Sequence, residues 1–227
     1  MIELEHLSCY YKIKGGHLLV LDDINLSIPT GETWVVVGES GCGKTTLLKA
    51  IAGMLKYTEG EIIINGKDIA DFDKRSNDMA YVSQEYVLYP HLTVYENIAY
   101  PLSNSKVKYE EINTMVRSVA KSFGLTYLLT RKPFQLSGGQ QQLVALARAF
   151  VKRPSIILLD EPFSNLDIET RQKMRKTVLD YCAEYSPTVI YVTHDTDDAI
   201  LIANKIIEID DGKIRNISSP NEYKEIV

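Results

Sequence analysis

Val35-Val36-Val37-Gly38-Glu39-Ser40-Gly41-Cys42-Gly43-Lys44-Thr45-Thr46-Leu47-Leu48 is the stretch on which the reading of this chain turns. It starts as a buried strand, passes through a glycine-rich loop and enters a segment where Leu47, Leu48, Ile51 and Leu55 recur at helical spacing. Every fixed position of G-x-x-x-x-G-K-[ST] is satisfied, and the strand before and helix after it are the context that motif requires. Glycines let a backbone wrap closely around phosphate oxygens, and successive N–H groups with the helix amino end form a positive concavity. Lys44 is expected to reach the β- and γ-phosphates and the Thr45 hydroxyl to ligate Mg²⁺. Glu39, Ser40, Cys42 and Thr46 complete the expected cradle, Cys42 mainly by filling space. The plainer alternative, a glycine turn capping a core helix, gives no reason for the lysine and threonine.

Upstream, residues 1 to 30 alternate apolar and polar positions around Lys14-Gly15-Gly16, which predicts antiparallel strands joined by a turn. Downstream, Glu61–Ile64 with Asn65-Gly66 predicts a hairpin and Met79–Ser83 a short strand. From about Glu85 to Arg153 the period becomes helical, as at Val107, Ile112, Val116, Val119 and Phe123. Strands rich in Ile and Val return at 156–160, 188–193 and 205–210, separated by helical stretches at 168–184 and 195–203. Alternation of strand and helix predicts an α/β fold with a mainly parallel sheet. The expected organisation is a single domain over 1–227, with 1–84 and 154–227 as the core and 85–153 as an inserted α-helical subdomain.

The chain has 227 residues, 45% hydrophobic and 24% charged, with a formal net charge of -5. That composition suits one folded domain and excludes disorder. No stripe of Lys and Arg suited to a nucleic-acid backbone is present, so no nucleic-acid partner is expected. Three cysteines far apart in sequence (Cys9, Cys42, Cys182) exclude a disulfide scaffold and suit a reducing compartment. Runs such as Trp34–Val37 and Ile156–Leu159 are far short of the roughly 18 apolar residues of a membrane span. The amino terminus lacks a secretory signal pattern, so a cytoplasmic location is expected.

Two further segments carry chemistry. Ile156-Ile157-Leu158-Leu159-Asp160-Glu161 is an apolar strand ending in two carboxylates, a costly arrangement unless a cation lies nearby. Asp160 is expected to hold Mg²⁺ or its waters, and Glu161 to orient or deprotonate an attacking water. Leu136-Ser137-Gly138-Gly139-Gln140 precedes a helical pattern, so Ser137 is a good amino-cap and the glycines expose N–H groups at the helix start. A second anion site in one chain suggests service to a nucleotide held by a second copy; an ordinary serine cap is the alternative.

In order and spacing, Gly38–Thr45, Gln84, Leu136–Gln140, Asp160-Glu161, Ser164-Asn165-Leu166-Asp167 and His194 resemble the ATP-binding cassette (ABC) ATPases over nearly the whole chain. The resemblance implies a P-loop NTPase (RecA-like) core, an antiparallel β subdomain at the N-terminus and the inserted helical subdomain. It implies ATP and Mg²⁺ as cofactors, a stacking role for Tyr11 on adenine, and metal and water sensing by Gln84. Asp167 becomes the acid of the dimer-contacting loop and His194 the switch at the γ-phosphate. Ser137, Gly138, Gly139 and Gln140 become the signature that closes the partner's site. The implied catalytic residues are Glu161, His194, Lys44 and Gln84; the implied metal residues are Thr45, Gln84 and Asp160. Tyr11, beside Tyr10, has packing as its alternative, and Trp34 reads as core.

Within the family, Tyr86–Ile98, Arg131-Lys132-Pro133 and Glu161–Asp167 look most like ATPases of bacterial importers, notably for sugars. Those usually carry a further regulatory domain, whereas this sequence ends at Val227, and Leu143 stands where the family usually has arginine. The implied partners are a second copy or a homologous ATPase subunit, membrane permease subunits contacting the Tyr86–Tyr100 region, and an external solute-binding protein. The implied place is peripheral, on the inner face of the cell membrane. Alternatives are an export or lipoprotein-extracting cassette, a cassette acting on nucleic acid, and a soluble phosphoryl transferase.

Overall fold

The computed structural model describes residues 1–71, 78–103 and 107–226. Residues 72–77 of the expected core, 104–106 of the expected helical insert and Val227 lie outside the described residues. Along the chain run β1 (Ile2–Ile13), β2 (Gly16–Ile28), β3 (Thr33–Val37), α1 (Lys44–Ile51), β4 (Glu59–Ile64), β5 (Lys67–Asp68) and β6 (Met79–Val82). They are followed by α2 (Val94–Ala99), α3 (Tyr109–Ser122), α4 (Gly138–Phe150), β7 (Ile156–Asp160) and α5 (Ile168–Tyr185). The chain closes with β8 (Thr188–Val192), α6 (Thr196–Ile202), β9 (Lys205–Asp210), β10 (Lys213–Ser218) and α7 (Pro220–Ile226). Val107, read as helical from its spacing, lies before α3 begins.

Two units divide these elements. The first comprises Met1–Met79, Ser155–Asp160 and Ser186–Val227, the second Ala80–Pro154 and Glu161–Tyr185. In the first unit an antiparallel sheet has the order β2-β1-β4-β5. Ile2 and Leu4 of β1 and Ile24, Leu26 and Ile28 of β2 are buried, as their alternation requires, and an irregularity in the pairing between Leu4 and Leu7 brings Leu7 into the core as well. The β4–β5 and β9–β10 connections are two-residue turns, Asn65-Gly66 and Asp211-Gly212, with positive φ at both central positions. That backbone matches the twist of the flanking strands, which is why Asn-Gly and Asp-Gly are preferred there.

The remaining strands of this unit stand in the order β10-β9-β3-β8-β7. β3 pairs parallel with β8 and β9, β7 pairs parallel with β8, and β10 is antiparallel to β9. Every residue of β3, β7 and β8 is buried, the expected consequence of parallel strands covered on both faces. The α/β class and the mainly parallel sheet predicted from sequence are what the structure shows. Trp34 is core, with its indole N–H donating to Glu32 Oε2 at 2.7 Å.

Apart from the residues of β6, the regular elements of the second unit among the described residues are helices. Val94, Ile98, Val116, Leu128, Val144, Leu146 and Met174 are buried in it. The rings of Phe123 and Phe150 meet edge-on at 5.5 Å, and Phe150 meets Tyr181 of α5 at 4.6 Å. Those aromatic contacts, each contributing about 0.5–1.5 kcal/mol beyond area burial, explain why α5 groups with this unit although β7 and β8 on either side of it belong to the first. Among the described residues no helix is long and apolar enough to cross a membrane.

Candidate functional site

In the first unit the loop from Gly38 to Gly43 joins the end of β3 to the start of α1. Gly38 has φ +152°, and a Cβ there would lie 2.2 Å from the Ile209 carbonyl oxygen and 2.8 Å from Cys42 Sγ. The loop therefore lies directly on β9, closer than any side chain permits. Cys42 packs against that glycine, in keeping with a space-filling role. Glu39, Ser40 and Gly41 are exposed, while Gly43, Lys44 and Thr46 are buried.

Lys44 is only 7% exposed. Its ammonium donates to the carbonyl oxygens of Gly38 at 2.8 Å and Glu39 at 2.7 Å, so it ties the loop together and holds a positive charge within it. Thr45 Oγ1 donates to Asp160 Oδ1 at 3.0 Å, and Asp160, at the end of β7, is 1% exposed. The Tyr11 hydroxyl lies 3.5 Å from Thr46 Oγ1, which brings the exposed Tyr11 of β1 beside the start of α1. His194 is exposed in the turn between β8 and α6, where Asp195 caps α6 by accepting from Asp198 N–H at 3.1 Å. β3, β7 and β8 are adjacent and parallel, so the loop, Asp160 and His194 all stand at one edge, the carboxyl ends of the strands. Open α/β sheets bind ligands there.

The donors suit magnesium triphosphate. A hydroxyl and a carboxylate 3.0 Å apart are hard oxygen ligands. Mg²⁺ is ordinarily held by one or two such side chains plus substrate phosphates and water rather than by an all-protein cage. The glycine at 38, whose place no Cβ fits, and the buried ammonium of Lys44 suit the phosphates.

The second unit carries the other expected residues. Glu161 has φ +47°, a left-handed backbone costly for a residue with a side chain. Gln84 Nε2 donates to Glu161 Oε2 at 3.2 Å, so these two are together. Asp160 and Glu161 are consecutive in the chain. Ser137 caps α4 through a reciprocal pair: its Oγ accepts from Gln140 N–H at 3.3 Å, and Gln140 Oε1 accepts from Ser137 N–H at 3.1 Å. Gly138 and Gly139 then occupy the first turn, where N–H groups have no intrahelical acceptor. A Cβ on Gly138 would lie 3.2 Å from the Tyr86 hydroxyl, and one on Gly139 would lie 3.3 Å from Leu166 Cδ2. Tyr86 and Leu166 thus pack on these glycines, a contact that sequence order alone did not show.

Asp167 accepts from Thr170 N–H at 2.9 Å and from the Thr170 hydroxyl at 2.7 Å. Those bonds, backbone first, hold its carboxyl below the usual carboxylate range. Glu96 with Thr93 and Glu222 with Ser219 repeat the arrangement and the direction. A carboxylate whose folded pKa is depressed contributes stability above its unfolded pKa and loses it as pH falls through the folded value. Urea midpoints are therefore expected to hold steady from pH 7 to about 5 and to decline below about 4. Thr170→Val should flatten part of that decline, and an unchanged acid profile in this variant would contradict the assignment to Asp167.

A glycine-rich loop between strand and helix, with its lysine, its threonine and a strand-end aspartate at one sheet edge, defines a P-loop nucleoside triphosphatase fold. The ABC transporter family profile matches residues 21–164, more than half of the chain, and the chain belongs to that family. It is 44% identical over 213 residues to the trehalose/maltose import ATP-binding protein MalK of Thermococcus litoralis, covering 91% of this chain and 57% of that protein. It is 42% identical over 224 residues to the oligosaccharides import ATP-binding protein MsmX of Bacillus subtilis, covering 99% of this chain and 60% of that one. The chain thus spans somewhat over half the length of these curated relatives. The ATP-binding cassette MJ0796, solved as a dimer in a post-hydrolysis state bound to ADP and Pi, superposes with a TM-score of 0.90 at 34% identity, covering 97% of this chain and 99% of that one.

Proposed function

We propose that this chain is the ATP-binding and hydrolysing subunit of an ABC importer, working as a head-to-tail pair around two MgATP and driving solute through separate membrane permease subunits. The observation that carries the reading is the Thr45–Asp160 hydrogen bond beside the lysine-tied loop. Lys44 and the loop amides offset charge on the phosphoryl group as it leaves, and Tyr11 stacks on the adenine. Thr45, Asp160 and Gln84 would hold Mg²⁺, which when bound would supply charge that neutralises the phosphates. The Glu161 carboxylate orients the attacking water and takes its proton, held in place by the Gln84 amide. His194 and Gln84 report the γ-phosphate. Ser137, Gly138, Gly139 and Gln140 face the ATP of the second copy, and Asp167 lies in the loop that meets that copy.

The importer reading draws on the names of the relatives, which are import ATP-binding proteins. We assign the permease contact to the Tyr86–Tyr100 region, where Val87 is 73% and Tyr100 47% exposed. An external solute-binding protein delivers cargo to the permease, and the chain sits on the inner face of the membrane. Affinity purification of the full chain from detergent-solubilised membranes tests this. The expected result is recovery of permease subunits that is lost when Val87 and Tyr100 are both changed to Asp; recovery indifferent to that change would overturn the contact.

A further inference from the structure

Gln84 is followed by a segment, 85–91, that is neither helix nor strand, yet it is firmly held. From α2, Asn97 is fully buried: its Oδ1 accepts from Tyr89 N–H at 2.9 Å, and its Nδ2 donates to the carbonyls of Tyr89, Leu92 and Thr93 at 3.1, 3.2 and 2.9 Å. From α4, Arg148 Nη2 donates to the Val87 carbonyl at 2.8 Å, and the guanidinium lies 5.4 Å from the centre of the Tyr89 ring. Tyr89 in turn packs on Tyr100 with ring centres 4.3 Å apart.

Arg148 is in the last turn of α4, and the Ser137-Gly138-Gly139 sequence opens that helix. Eleven residues of helix put the two ends about 16 Å apart. The segment touches both ends, through Tyr86 on Gly138 and through Arg148 on Val87 and Tyr89. Burial pulls the Arg148 pKa below the ordinary guanidinium value. Its planar fork can bond a carbonyl and lie over a ring together, which a lysine cannot reproduce.

We propose that Arg148 is a positioning residue that locks the 85–91 segment to α4, so that the segment after Gln84 and the Ser137–Gln140 turn move as one body. The surface displaying Val87 is then mechanically continuous with the turn that closes the second copy's ATP. The inference rests on the proposed ATPase function of that turn.

The test uses the full chain carrying Arg148→Lys or Tyr89→Leu. ATP affinity by direct titration, which reports the chain's own loop, should be unchanged, while kcat falls about tenfold with little change in KM. In a Glu161→Gln background, ATP-driven dimerisation should weaken by a similar factor, about tenfold. The double variant Arg148→Lys/Tyr89→Leu should cost less than the sum of the two single changes, since they share the Arg148–Tyr89 contact. Wild-type kcat in either folded variant would overturn the proposal. So would a parallel loss of ATP affinity, kcat and melting temperature, or misfolding of both variants, because either makes the contact merely structural. Failure of the underlying ATPase reading shows separately, as absence of hydrolysis by the unaltered chain.

Discussion

Glu161→Gln is expected to cut steady-state ATP hydrolysis by about 10²- to 10⁴-fold, the usual contribution of a positioned general base, while leaving ATP binding intact. The replacement is nearly isosteric, and none of the loop, Lys44, Thr45 or Asp160 is altered. A glutamine at 161 can still accept from Gln84 Nε2 through its carbonyl, so the 3.2 Å contact survives. What disappears is the carboxylate proposed to take a proton from water. With binding preserved and turnover blocked, two copies should remain joined around ATP, doubling the 25.6 kDa mass of the chain in light scattering. Exchange of ATP for ADP should restore the single-chain mass. Phosphate release at the unaltered rate would remove Glu161 from the reaction.

Lys44→Ala acts at the opposite end of the cycle. The ammonium is buried and bonded to two loop carbonyls, so its loss removes the positive charge proposed to meet phosphate and loosens the loop. Hydrogen bonds to charged groups contribute about 1.5–3 kcal/mol each, so ATP affinity should fall about 10- to 100-fold or more, with hydrolysis lost at ordinary nucleotide concentrations. Adenosine, which has no phosphates, should bind the two proteins alike through Tyr11. Equal ATP affinity in a direct titration would contradict the role given to the loop.

Much of this architecture was legible because it depends on local rules. The loop motif specified strand, turn and helix together; Asn65-Gly66 and Asp211-Gly212 specified their hairpins through the left-handed backbone those turns require. Ser137 was legible as a cap because a helical pattern follows it, and the structure adds the reciprocal bonds with Gln140. What escaped depends on contacts distant in sequence. Periodicity in residues 168–184 gave a helix but could not say which neighbours Tyr181 would meet, and it meets Phe150. Nothing in the order of motifs marked Tyr86 as packing on Gly138, since that requires knowing how the segment after Gln84 folds back. Arg148 left one faint sign, a lone cation in the apolar run Val144–Phe150 of α4. Such a residue either reaches solvent or finds a buried partner, and sequence alone does not choose.

The central claim is that hydrolysis needs two chains, because the loop that binds ATP and the turn that closes on it come from different copies. Phosphate release per chain, followed at saturating MgATP over a dilution series with mass measured at every point, tests it most directly. The account predicts a specific rate that rises with protein concentration in step with the dimer fraction and vanishes where only single chains remain. A specific rate that stays constant down to concentrations where every molecule is a single chain would contradict it.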